Sequence, residues 1–134
     1  MSQAENVELV RGSFGLMSIP GDPEPMIAAI APGFELNLVG VGGMPVHYTG
    51  ASGIREFFRD VEESWEFFRF EGSDFRDLGD RVLILGDVTG RGRVSGADVK
   101  AQWACIVELE GRKATSVQGF LDHAEALAAA GLEE

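Results

Sequence analysis

Apolar and polar residues alternate with a helical period in the first half of the chain and with a strand period in the second. Val7, Val10, Phe14 and Met17 recur at helical spacing, with Leu9 and Leu16 widening the stripe, which predicts a first helix. Ser18-Ile19-Pro20-Gly21 ends it, because proline disfavours helical geometry in the residue before it. Asp22-Pro23 then has the residue types that open a second, short helix, with Met26, Ile27 and Ile30 on its apolar side and Pro32-Gly33 as its stop. From Phe34 to Val39 the period changes to two: Phe34, Leu36 and Leu38 share one face, Glu35 and Asn37 the other.

A glycine-rich stretch, Gly40 to Pro45, reads as a loop; its glycine spacing does not fit a dinucleotide fingerprint. The third helix carries the clearest period. Ile54, Phe57, Phe58, Val61, Trp65 and Phe68 mark its apolar face, charged residues fill the other, and Ser52 stands where a cap is expected. From Phe70 onward the chain reads as strands, with turns at Gly79-Asp80, Ser95-Gly96 and Glu110-Gly111. In one of them Trp103, Cys105, Val107 and Leu109 oppose Gln102, Ala104, Ile106 and Glu108. In the last, Val117, Gly119 and Leu121 oppose Ser116, Gln118 and Phe120. Asp122 to Glu125 has the residue types of a capping box, opening a final alanine-rich helix that ends at Gly131.

The predicted order is helix, helix, strand, helix, a four-strand antiparallel meander and a terminal helix, which defines an α+β domain with helices covering one face of a sheet. A length of 134 residues fits a single domain over 1–134. Ile106 and Phe120 fall on the uncovered face among polar neighbours, which predicts burial against a second copy, a homodimer through the open sheet face.

Charge narrows the function. The net charge of -11 and the lack of any Lys/Arg cluster beyond Arg91-Gly92-Arg93 disfavour nucleic acid and anionic membrane surfaces. Cys105 is the only cysteine, so no internal disulfide forms and a reducing, cytoplasmic location is expected. The polar, acidic start Met1 to Asn6 does not read as a secretory signal, and no apolar run approaches a membrane span. Two histidines, His47 and His123, with one cysteine supply no metal site, and no cofactor motif is present. Neither a nucleophile elbow nor a P-loop spacing occurs.

Four segments, Asn6-Val7-Glu8-Leu9-Val10-Arg11, Gly53 to Asp60, Asp77 to Gly86 and Leu121 to Leu127, stand in the order seen in bacterial SnoaL-like proteins. The chain thus resembles the SnoaL-like family of the nuclear-transport-factor-2-like superfamily, which also holds ketosteroid isomerase, scytalone dehydratase and polyketide cyclases. The resemblance implies a cone-shaped curved sheet, mixed or antiparallel, with three N-terminal-half helices enclosing an apolar pocket, plus a short C-terminal helix. It does not imply an activity, because one fold hosts enzymes and non-enzymes alike.

Carried over residue by residue, the isomerase machinery is missing as a set. Its base position falls at or beside Asn37, its oxyanion acid near Trp103 or Ala104, and its first-helix tyrosine has no counterpart beside Ser13 and Phe14. Glu35 is the remaining candidate base, with Asn37 and Tyr48 to orient or polarise a carbonyl. Asp122 matches a cyclase-type aspartate, but its spacing to Glu125 suits a helix cap. His47 and Tyr48 either touch a ligand at the pocket rim or cover it; Trp65 and Trp103 either line the pocket or pack the core. Cys105, where many relatives carry a histidine, reads as an inert thiol at the pocket wall. The expected function is binding of a small, mostly apolar molecule, with or without isomerase, dehydratase or cyclase chemistry. The competing expectation is a non-catalytic homodimeric domain with a pocket filled by its own side chains.

Overall fold

The computed structural model describes residues 3–39 and 45–132. Among the described residues, seven strands form one sheet: β1 (Leu16–Ile19), β2 (Ile30–Val39), β3 (Pro45–Thr49), β4 (Trp65–Asp77), β5 (Arg81–Gly92), β6 (Asp98–Glu110) and β7 (Lys113–Phe120). Their order across it is β1-β4-β5-β6-β7-β2-β3, with β4 to β7 a continuous antiparallel meander and β2 parallel to β7. Helices α1 (Gln3–Ser13), α2 (Glu24–Ile27) and α3 (Gly50–Ser64) close over one face, and α4 (His123–Ala129) lies on the other. This is the α+β cone expected from the sequence.

The sheet curls because its long strands carry bulges. The β4–β5 register slips between Trp65 and Phe67 and again between Gly72 and Asp74, and β6–β7 slips between Glu108 and Leu109. Each extra residue bends its strand and raises the local twist. At the second slip Gly72 faces Gly86, and a β-carbon on Gly86 would run into the Glu71 carbonyl. Only glycine lets the two backbones close there.

Two hydrophobic clusters result. The larger joins Val10, Phe14, Phe34, Leu36, Ile54, Phe58, Val82, Ile84 and Val107 between the three helices and the concave face. The smaller joins Leu83, Leu85, Ala104, Ile106 and Phe120 to Ala126 and Leu127 of α4 and to Ala130, which caps it. The strand alternation read for Trp103 to Leu109 is thus divided between the two clusters. Ile106 and Phe120 do not wait for a second copy: α4 of the same chain covers them. Asp122 caps α4 as expected, its carboxylate accepting the Glu125 N–H at 2.7 Å.

Several expected boundaries move. Leu16 and Met17 leave the first helix for β1, whose burial alternates in period two. Ile30, Pro32 and Gly33 belong to β2, where the register with β7 shifts before Glu35. The third helix ends at Ser64, so Trp65 and Phe68 lie on β4; its cap position is Thr49, not Ser52, and no side chain bonds there. The slip between Trp65 and Phe67 explains the misreading. It lets Trp65 and Phe68, three residues apart, both join the concave side, while Phe67 turns out against Arg91 at 5.8 Å. A bulge has imitated a helical spacing. Of the stretch read as a loop, residues 40–44 lie outside the described residues, and Pro45 begins β3.

Candidate functional site

Between α3 and the concave sheet the structure holds two adjoining apolar spaces. The inner one, about 30 Å³, is walled by Phe14, Met17, Met26, Leu36, Phe70, Cys105 and Val117 together with Leu38, Phe57 and Trp103. It has room for one water-sized group, and an apolar hollow of that kind stays dry. The outer one, about 390 Å³, lies in the range of small-molecule sites. Val46 and Val61 form one side of it, Val88, Val99 and Ala101 another, and Trp65, Phe68 and Leu121 the rest. Leu38, Phe57 and Trp103 line both spaces and so form the wall between them.

Aromatic rings set the shape of that wall. Trp103 meets Phe70 edge to face at 5.3 Å and Phe68 at 6.2 Å, and Phe68 meets Trp65 at 5.4 Å. Perpendicular contacts of this kind are the arrangement that aromatic quadrupoles favour. The outer cavity reaches Gln102, but the Gln102 side chain serves the other face, its Oε1 accepting the His123 N–H at 3.2 Å. No carboxylate, histidine, lysine or arginine lines either space among the described residues.

The predicted site residues therefore divide. Trp103 and Cys105 line the inner space, and Trp103 and Trp65 the outer one. Glu35 and Asn37 do not, because β2 alternates and sends Leu36 and Leu38 inward instead. His47 leaves the cavity for the same reason on β3, where Val46 points in. The three come together on the opposite face of the sheet. His47 Nδ1–H donates to Asn37 Oδ1 at 2.5 Å, Thr49 Oγ1 lies 3.2 Å from His47 Nε2, and Glu35 is 3.9 Å from that same nitrogen. The Glu35 side chain is 57% exposed, so water screens this pair strongly. A carboxylate placed there cannot reach a molecule in the cavity, which corrects the expected position of Glu35 as a base.

Tyr48 lies half-buried between β3 and α3 and walls neither space. Its hydroxyl donates to Asp60 at 2.8 Å and its ring packs edge-on to Phe57 at 5.5 Å. Burial, then the bond to Asp60, pushes the phenol up to about 12. Burial alone pushes the Cys105 thiol up to about 12, so it stays protonated and poorly nucleophilic. Sequence reasoning missed the wall residues Leu38, Phe57 and Phe70 and the outer-cavity residues Val46, Val61, Val88 and Val99. They are ordinary aliphatic and aromatic positions whose only signal is the face they share.

The sequence profile of the SnoaL-like domain matches residues 17–117, and the chain belongs to that family. No curated protein matches it. Among solved structures, an NTF2-like protein from Burkholderia xenovorans LB400 is 27% identical with a TM-score of 0.74, over 97% of this chain and 98% of that one. An NTF2-like protein of unknown function from Burkholderia pseudomallei K96243 is 23% identical at a TM-score of 0.75, over 96% and 97%. TerC, co-crystallised with polyporic acid, is 21% identical at 0.72, over 95% and 98%. The last two likenesses show the fold alone.

Proposed function

We propose that this protein binds a small, neutral, mostly apolar organic molecule in the outer cavity between α3 and the concave sheet. The observation that carries the reading is a space of about 390 Å³ whose side-chain wall is aliphatic and aromatic and free of charge among the described residues. Burying apolar ligand surface there supplies roughly 25 cal/mol per Å² before the costs of association. An anion gains nothing from such a wall, and the net charge of -11 repels it further. The complex of TerC with polyporic acid supports, by analogy of fold, a small organic molecule as ligand, though not its neutrality.

Two alternatives weaken on the same geometry. Proton transfer by Glu35 needs a carboxylate at the cavity, and Glu35 faces away; isomerase, dehydratase or cyclase chemistry would have to use groups other than Glu35, Asn37 and His47. A domain filled by its own side chains describes the inner space but not the outer one. A homodimer through the sheet remains part of the proposal only for the strip beyond α4, where Glu35, Asn37, His47 and Thr49 lie.

Equilibrium titration with the neutral dye Nile red tests the proposal. Binding should raise its emission saturably, and Val61→Trp, which puts an indole in place of a lining isopropyl group, should abolish the rise while far-UV circular dichroism stays unchanged. Saturable binding of equal strength in the variant would place the dye elsewhere and contradict the reading.

A further inference from the structure

Met17, Met26 and Cys105 carry every sulfur atom among the described residues, and all three wall the inner space. They reach it from β1, α2 and β6, so their meeting is a product of the fold and not of sequence spacing. Each is more than nine-tenths buried. The Cys105 thiol makes no hydrogen bond with a described residue. Methionine is unbranched with three rotatable bonds, so each thioether can turn its sulfur into the space of about 30 Å³.

We propose that the inner space is a site for one copper(I) ion, held by the thioethers of Met17 and Met26 and the thiolate of Cys105. Soft sulfur ligands select copper(I), and the wall exposes no oxygen or nitrogen for a harder cation. Charge separates copper(I) from the zinc that thiolates also bind. As the Cu–S bond forms, the Cys105 proton passes to solvent, and one thiolate cancels one positive charge. A divalent ion keeps an uncompensated charge in apolar surroundings, which is costly. Phe14, Phe70 and Trp103 also wall the space, and a cation gains from any such ring that presents its face. The count of histidine and cysteine that excludes a zinc site leaves thioethers out, so the cluster has no signature in the sequence. The site does not depend on what occupies the outer cavity.

Anaerobic titration of the reduced protein with copper(I), against a chromophoric copper(I) chelator, tests this. The native protein should bind one equivalent. The ¹³C-labelled ε-methyl signals of Met17 and Met26, assigned by their loss in Met17→Leu and Met26→Leu, should both move and saturate at that equivalent. Either leucine variant, close in volume to methionine, should keep the native far-UV circular dichroism. Each should bind copper(I) at least about tenfold more weakly, the loss that even an outer-shell partner causes. One equivalent should raise the thermal midpoint, as an ion that prefers the folded state does. Excess zinc(II) should leave both methyl signals in place. Binding that the leucine variants leave intact would assign the ion to a lone thiol or to another place and overturn the proposal. Unmoved Met17 and Met26 signals at one equivalent, a lowered midpoint, or equal shifts with zinc(II) would overturn it as well.

Discussion

The six-membered ring of Trp103 rests on Gly119: a β-carbon on that glycine would stand 3.4 Å from Trp103 Cζ2 and 2.9 Å from Leu38 Cδ2. The absent side chain on β7 thus seats two of the three residues that divide the inner space from the outer cavity. Gly119→Val should push Trp103 and Leu38 into that cavity. We expect a loss of about 1–3 kcal/mol of stability from overpacking, measured by urea denaturation, and Nile red affinity at least about tenfold weaker. Full affinity with an unchanged denaturation midpoint would show that the wall is not built on this contact.

Glu35 offers a sharp negative expectation. Its carboxylate lies on the face opposite the cavity, beside His47 and Asn37. Glu35→Gln should therefore leave ligand affinity unchanged within about twofold, and stability within about 1 kcal/mol, as for other exposed ion pairs. A loss of affinity larger than tenfold would mean that the face assigned to β2 is wrong.

The second strand also shows how much of the fold is legible in the sequence. Alternation correctly separated Phe34, Leu36 and Leu38 from Glu35 and Asn37, and the order of elements correctly gave an α+β domain. What alternation alone could not say was which face encloses the cavity, because that depends on where three distant helices land. Trp65 and Phe68 were legible as large apolar groups sharing a side, but a bulge in β4 disguised a strand as a helix. β1 and β3 were missed because four or five residues hold too few alternations to outweigh neighbouring helical periods. Ile106 and Phe120 were legible as apolar, while their cover, α4, is a tertiary event.

Cys105 and Tyr48 give the pH dependence. Both acids are pushed up to about 12 in the folded protein, chiefly by burial. The folded state therefore holds protons that the unfolded state releases above its ordinary thiol and phenol values, near 9 and 10. Their contribution to stability is fully present below pH 9 and is lost as pH rises toward 12. Denaturation midpoints should fall across that window, and Cys105→Ser should shrink the fall. In native protein at pH 8, Cys105 should resist a thiol reagent that labels it stoichiometrically in urea. Rapid labelling of the native protein would contradict its burial.

Asp122 holds α4 over the second cluster. Asp122→Ala removes the acceptor of the Glu125 N–H and should cost about 1 kcal/mol. Hydrogen exchange should quicken first in residues 123–130, with Nile red affinity preserved because α4 lies on the face away from the cavity. Equal loss of protection in α3 would show that the two clusters open together.

The location of the ligand is the most direct test of the whole account. Methyl-labelled protein titrated with fluorenone should shift and broaden the signals of Leu38, Val46, Val61, Val88 and Val99, the aliphatic lining of the outer cavity. The signals of Leu83, Leu85 and Ile106, packed beneath α4, should stay still. Shifts confined to the α4 side, or no shifts at saturating ligand, would contradict the claim that this cavity is the binding site.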